Sequence, residues 1–197
     1  MTKRIFDIVF SCLGLILLAP VLVVLAIIIK LDSKGPVLFI QPRVGLNNKD
    51  FNIFKFRTMQ MESDKKGLLT LGNKDSRITK VGYFLRRYKI DEFPQLLNIV
   101  IGDMSFVGPR PELRKYVNYY PQEDLSVLSV RPGITGLASI EFRNEVELLK
   151  AAKDPETYFI ESIIPEKLKL NKLYIEKRSF WFDLKLIIIT IYRVLTK

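Results

Sequence analysis

The chain has 197 residues, 48% of them hydrophobic, with 31 Lys and Arg against 21 Asp and Glu for a formal net charge of +10. With no histidine and a single cysteine, Cys12, it cannot use imidazole as a general base, close an internal disulfide or build a thiolate zinc cluster. Any chemistry falls to carboxylates and cations, and the charge excess points to an anionic partner.

The first element is apolar. Ile8 to Ile29 is a run of 22 residues without a charge, about the length that crosses hydrocarbon. No small-residue cleavage site follows, so the run is expected to stay attached. Pro20 sits mid-run, where a missing amide and a clash with the preceding turn predict a kink or break. Both flanks are basic, with Lys3 and Arg4 before and Lys30 and Lys34 after, so neither end looks like the translocated one. On these residues alone, a straight span and a re-entrant bend at Pro20 both stay open.

The turn cluster Asp32 to Pro36 ends this segment, and Val37 to Ile40 reads as a short buried strand. Pro42 to Asp50 is a polar loop, and Phe51 to Met59 a second strand, which predicts a β-hairpin. On the second strand Ile53, Lys55 and Arg57 share one face. The two cations are either solvated surface or phosphate ligands on a rigid element. Residues 60–75 are polar, contain Gly67 and Gly72, and read as a mobile loop. Thr79 to Tyr88 is a short helix with Val81, Phe84 and Leu85 inward and Arg86 and Arg87 near its end.

Lys89-Ile90-Asp91-Glu92-Phe93-Pro94-Gln95-Leu96-Leu97 follows. Phe93, Leu96, Leu97 and Val100 recur at helical spacing, and Pro94 belongs in the first turn. Asp91 then falls at or beside the N-cap, where backbone N–H groups and the dipole favour negative charge. Most acidic residues there are only caps. Among Arg86, Arg87 and Lys89, however, such a carboxylate stays ionised and is suited to act as a nucleophile. Gly102 is placed to end the helix. Arg110, held between Pro109 and Pro111, leaves a stiff extended arm that suits a phosphate or a planar base, or else is a rigid surface linker. Arg131-Pro132-Gly133-Ile134-Thr135-Gly136 is a second rigid turn. Residues 141–177 read as charged helices broken at Pro155 and Pro165. The run Leu186 to Tyr192, with Phe180, Trp181, Lys185 and Arg193 around it, suits a helix packed on the core or lying in the lipid interface.

The apolar run with Pro20, Lys55-Phe56-Arg57-Thr58-Met59, Asp91-Glu92-Phe93-Pro94-Gln95-Leu96, Gly102-Asp103-Met104-Ser105 through Gly108-Pro109-Arg110-Pro111, the Arg131 turn and Ser179-Phe180-Trp181 together resemble the monotopic phosphoglycosyl transferases. These bacterial sugar transferases begin polyprenyl-linked glycan assembly. The resemblance covers nearly the whole chain, which by length looks like the catalytic core without the extra N-terminal spans of larger relatives. It implies an α+β fold: a membrane-embedded re-entrant helix in residues 1–34, then a small, mostly helical cytosolic domain in 35–197 with a short β-hairpin and interfacial helices.

The implied reaction moves a sugar-phosphate from a UDP-sugar to polyprenyl (undecaprenyl) phosphate, releasing UMP, on the cytoplasmic face of the bacterial inner membrane. Asp91 would form an aspartyl phosphosugar intermediate, with Glu92 orienting it or tuning the site. Mg²⁺, held by Asp91, would neutralise the diphosphate facing two carboxylates. Arg110 with Pro109 and Pro111 would hold the nucleotide, while Lys55, Arg57, Arg86 and Arg131 are candidate phosphate and substrate contacts. Anionic lipid is an expected partner, nucleic acid is not, and a homodimer is compatible with all of this. The chain departs from the family twice. Ala19 stands where a serine often precedes the membrane proline, which bears on the bend angle. Ser139 stands where many relatives carry glutamine, which bears on the sugar. A non-catalytic basic protein on an anionic membrane is the competing class, but it leaves Asp91-Glu92 and Pro-Arg-Pro unexplained.

Overall fold

A computed structural model describes residues 2–61, 63 and 75–196; the loop expected over 60–75 lies largely outside them. Helix α1, Thr2–Asp32, is one continuous helix of 31 residues, about 46 Å long at 1.5 Å per residue. It remains helical through Pro20, so the break expected there is not seen. Among the described residues α1 is the one helix long and apolar enough to cross a membrane.

One face of α1 is seated on the rest of the chain along its length. Asp7 and Ser11 are buried near its start. Leu15 and Leu18 pack with Ile53, Leu96, Ile99 and Met104, while Leu22, Leu25 and Ile29 pack with Phe56 and Leu85. Both ends are tied as well. Lys3 pairs with Asp183, and Arg4 donates to the Ile99 and Val100 carbonyls. At the other end Arg57 donates to the Lys34 and Ser33 carbonyls (2.9 and 2.7 Å), and Asp32 accepts from the Val81 amide at 3.2 Å. Arg57 at the C-terminus of α1, and Arg4 at that of the helix ending at Ile101, satisfy carbonyls that have no partner inside the helix and offset the dipole.

The hairpin forms as expected, with β1 (Leu38–Val44) antiparallel to β2 (Asp50–Phe56) and Phe39 opposite Lys55. β1 runs through Pro42 rather than ending before it, because the prolyl nitrogen has no amide to leave unpaired on an edge strand. It is less buried than its apolar run predicts: Phe39 and Ile40 are exposed, since a two-stranded sheet has an uncovered side.

Helix α2, Lys80–Arg87, is capped by the Thr79 side chain accepting from the Gly82 amide. Leu85 is inward as expected, but Phe84 is exposed. Gly82 is where α2 meets the backbone just beyond β2, and a Cβ there would lie 2.1 Å from the Thr58 carbonyl oxygen. Helix α3, Gln95–Ile101, ends on Gly102 in the left-handed region. Its buried stripe is Gln95, Leu96, Asn98 and Ile99 rather than one that includes Leu97, which is exposed.

Next come β3 (Ser105–Val107), α4 (Arg114–Val117), and β4 (Gly133–Thr135), which is parallel to β3. Helices α5 (Leu137–Glu141), α6 (Glu145–Ala151) and α7 (Pro155–Tyr158) follow. Pro155 opens α7, capped by Asp154. Pro165 breaks nothing: a π-turn over Phe159–Ile163 leads straight into α8, Ile164–Lys177. In the wider turn the Ile164 amide donates to the Phe159 carbonyl, and Pro165 falls in the first turn of α8, where a missing amide is tolerated. α9, Phe180–Leu195, packs its Leu186 with Val107, Ile140 and Tyr174.

Candidate active site

The Asp91-Glu92 pair does not cap α3. It lies in a single 3₁₀ turn, Ile90–Glu92, and Pro94 is the residue at the α3 cap. Lys89, left-handed at φ 59°, turns the chain sharply out of α2. A side chain in that conformation costs on the order of 1 kcal/mol and is held here by the elements on either side.

The two carboxylates have opposite surroundings. Glu92 is buried, and its Oε1 accepts from Lys55 Nζ at 2.9 Å and Arg110 Nη2 at 2.5 Å. Burial alone would raise its pKa, but Arg110 and Lys55 together hold it well below the usual carboxylate range. Asp91, also buried, makes no ion pair among the described residues, and its Oδ1 has no hydrogen-bond partner. Burial, then the neighbouring Glu92 charge, pushes Asp91 upward; Lys55, Lys89 and Arg86 only partly oppose them.

Arg110 reaches Glu92 from an arm fixed by backbone. The Gly133 amide donates to the Pro109 carbonyl and the Gly108 amide to the Thr135 carbonyl, both at 2.9 Å. The strands are so close that a Cβ on Gly133 would stand 2.1 Å from the Gly108 nitrogen. The glycines of the two motifs are therefore each other's clearance. Arg43 adds a hydrogen bond to the Pro111 carbonyl at 3.2 Å.

The structure brings together Asp91, Glu92, Lys55 and Arg110, with Arg86 alongside. Arg86 Nε donates to Thr58 Oγ1 at 2.8 Å and lies within electrostatic reach of Asp91. It does not bring Arg57, whose guanidinium is committed to the end of α1. Nor does it bring Arg131, whose Nε donates to the Gly102 carbonyl at 2.7 Å. Pro20 stays in α1.

Several residues escaped the sequence reading. Glu112 accepts from Lys167 at 3.2 Å and lies 3.8 Å from Arg43, while Lys167 also pairs with Glu145 at 2.5 Å. This buried ion chain continues the Glu92-Arg110 pair into the helical half. One signal was present: Ile164, Lys167, Leu168, Asn171 and Tyr174 are the buried stripe of α8, and a lysine within an apolar stripe needs a buried partner. Asn98 was also missed. Its side chain accepts from the Phe54 amide at 3.0 Å and donates to the Asn52 carbonyl at 2.7 Å, pinning α3 to β2.

A cavity of about 610 Å³ opens beside the pair, lined by Glu92, Lys89 and Arg110 on one side and by apolar residues of α1, α3 and α9 on the other. Glu92 lines it; Asp91 does not. The described residues contain no cluster of three or more acidic, histidine or cysteine ligands. Mg²⁺ does not require one: it is commonly held by one or two carboxylates together with substrate phosphates and water. With Glu92 already neutralised, Asp91 and its unpaired oxygen are the fitting ligand.

The sequence matches the family described as bacterial sugar transferase over residues 1–197. It is 40% identical to a UDP-glucose:undecaprenyl-phosphate glucose-1-phosphate transferase of Klebsiella pneumoniae, covering 97% of this chain and 39% of that protein. A protein of the same description from Caulobacter vibrioides is 38% identical over 98% of this chain and 70% of its own length. A UDP-N-acetylgalactosamine-undecaprenyl-phosphate N-acetylgalactosaminephosphotransferase of Aeromonas hydrophila is 37% identical, covering 98% and 44%. The chain thus spans about two fifths of the length of several curated relatives it matches.

Proposed function

The chain belongs to the bacterial sugar transferase family, and from that premise we propose that it transfers a sugar-1-phosphate from a UDP-sugar to undecaprenyl phosphate, giving undecaprenyl diphosphate sugar and UMP. The observation that carries the mechanism is the division of labour within the Asp91-Glu92 pair. A carboxylate bound to two cations is a poor nucleophile, and Glu92 is so bound. Asp91 keeps its lone pairs free.

In this scheme Asp91 Oδ attacks the sugar-bearing phosphorus of the donor, the bond to the bridging oxygen breaks, and UMP leaves. A phosphate oxygen of the lipid then attacks the same phosphorus and releases the carboxylate. No general base is required, because a phosphate monoester is already largely ionised at neutral pH; that suits a chain without histidine. Mg²⁺ bound at Asp91 would neutralise charge on the diphosphate. Arg110 contacts the nucleotide phosphate while keeping Glu92 charged and fixed. The relatives named above use different sugars, so the sugar is left open.

Incubation with a UDP-sugar and Mg²⁺ but without lipid tests the two-step reaction. We expect about one UMP per active site and a phosphosugar mass on the peptide holding Asp91. UMP release only after undecaprenyl phosphate is added, or an adduct on Glu92, would overturn the scheme.

The enzyme is proposed to sit on the cytoplasmic face of the bacterial inner membrane, with α1 embedded from one side and both its ends cytoplasmic. The exposed apolar face of α1, with Ile16 69% and Leu17 75% accessible, supports embedding, as do Trp181 and Leu195 of α9 at 75% and 78%. The ties at Lys3 and Arg4 and at Arg57 and Asp32 support a shared side, since one domain grips both ends. With Cys12→Ala as background, Thr2→Cys and Lys34→Cys are both expected to resist a membrane-impermeant thiol reagent in intact cells and to label after lysis. Labelling of the Thr2→Cys site from outside would mean a straight span.

A further inference from the structure

Six cations line the cavity beside the pair, and four are already engaged. Arg110 is on Glu92, Lys167 is on Glu112 and Glu145, Arg193 donates to the Ile140 carbonyl at 2.6 Å, and Arg87 lies over the Tyr88 ring. Among the described residues Lys89 and Arg143 have no such partner. Lys89 is two residues from Asp91, within the field of both carboxylates. Arg143 is elsewhere, on the turn between α5 and α6, and α5 packs against α9. One helical turn before it, Ser139 also lines the cavity, and its Oγ is buried without a hydrogen-bond partner. A buried hydroxyl with no partner costs about 1–3 kcal/mol, a cost that an entering acceptor oxygen would remove.

The wall next to this pair of donors is apolar. Ile187, Ile191 and Val194 of α9 recur at helical spacing and face the cavity, as does Leu18 of α1. Leu18 is flanked by the exposed Leu17 and Val21, so the apolar end of the cavity continues onto the apolar outer face of α1. Such a cavity, with cationic and hydroxyl donors in one part of its lining and apolar side chains in another, matches an amphiphile with an anionic head. About 610 Å³ is the size of a site for a drug-sized molecule. It takes a phosphate and the first few isoprene units, and the remaining chain must leave along α1.

We propose that Arg143 and Ser139 receive the phosphate of the polyprenyl acceptor, and that Ile187, Ile191 and Val194 of α9 line the path of its first isoprene units. This rests on the reaction proposed above and assigns one of its two substrates. The acceptor is thereby given donors of its own, separate from Arg110 and Lys55.

The test separates the two half-reactions on the full chain, using a UDP-sugar and undecaprenyl phosphate in detergent. Arg143→Ala is expected to raise KM for undecaprenyl phosphate about tenfold to a hundredfold, the loss of one charge-assisted contact. Arg143→Lys recovers part of that loss. Ser139→Ala and Ile191→Asp raise the same KM. In each variant the lipid-independent UMP burst persists, which also reports that the protein is folded. An unchanged KM for lipid in Arg143→Ala and Ile191→Asp would overturn the assignment. So would loss of the burst in both Arg143→Ala and Arg143→Lys, which would move Arg143 to the donor step. Failure of the wild type to give any burst would instead strike the two-step reaction itself.

Discussion

Asp91→Asn loses transfer by about 10⁴-fold or more, as expected for removal of a nucleophile, and forms neither the UMP burst nor the adduct, yet folds at least as stably as the wild type. The stability half of this follows from burial. Asp91 is a buried carboxylate without an ion pair, beside the Glu92 charge, and both effects push its pKa upward. A raised folded-state value means that the folded protein binds the proton more tightly than the unfolded chain does. The stability penalty is therefore absent at low pH, where both states are protonated, and develops as pH rises through the folded value. Thermal melts should favour Asp91→Asn at neutral pH and converge with wild type below the ordinary carboxylate range. Residual adduct formation in Asp91→Asn would remove Asp91 from its role.

Breaking the Glu92-Arg110 pair should damage folding and activity together. Glu92→Gln leaves Lys55 and Arg110 facing each other with no anion between them. Removing one member of a buried pair costs about 3–5 kcal/mol. The lower end applies here, since the Arg110 side chain is 36% accessible and water recovers part of the loss. A stiff Pro-Arg-Pro arm taken alone would predict that Arg110→Ala leaves folding untouched. The pair revises that prediction: Arg110→Ala loses about 1.5–3 kcal/mol of donor binding and, in addition, some stability. Glu92 is depressed below the ordinary range, so its contribution is present above the unfolded value and is lost as pH falls through the folded one. The gap between wild type and Glu92→Gln should therefore persist into mild acid. A double-mutant cycle by denaturant unfolding should give a coupling of about 0.5–3 kcal/mol; strictly additive losses would show that the pair is not formed in solution.

By itself the sequence determined the parts whose signal is local. The uncharged run from Ile8 to Ile29, the short helix beginning near Thr79, the stop at Gly102, the hairpin across the Pro42 to Asp50 loop, and the adjacency of Asp91 and Glu92 all depend on residues within a few positions of one another. The tertiary structure decided which charges meet, because an ion pair between residues 18 or 55 apart in the chain leaves no periodic trace. Lys55 and Arg57 illustrate this: two residues apart on one strand, they read alike, yet Lys55 ends on Glu92 and Arg57 on the carbonyls that close α1. Lys167, Glu112 and Asn98 were hidden for the same reason, since a buried polar group is explained only by the partner that the fold delivers to it. The course of α1 through Pro20 was likewise not local. A proline removes one hydrogen bond, but here the seam from Asp7 to Ile29 and the anchors at both ends keep the chain helical.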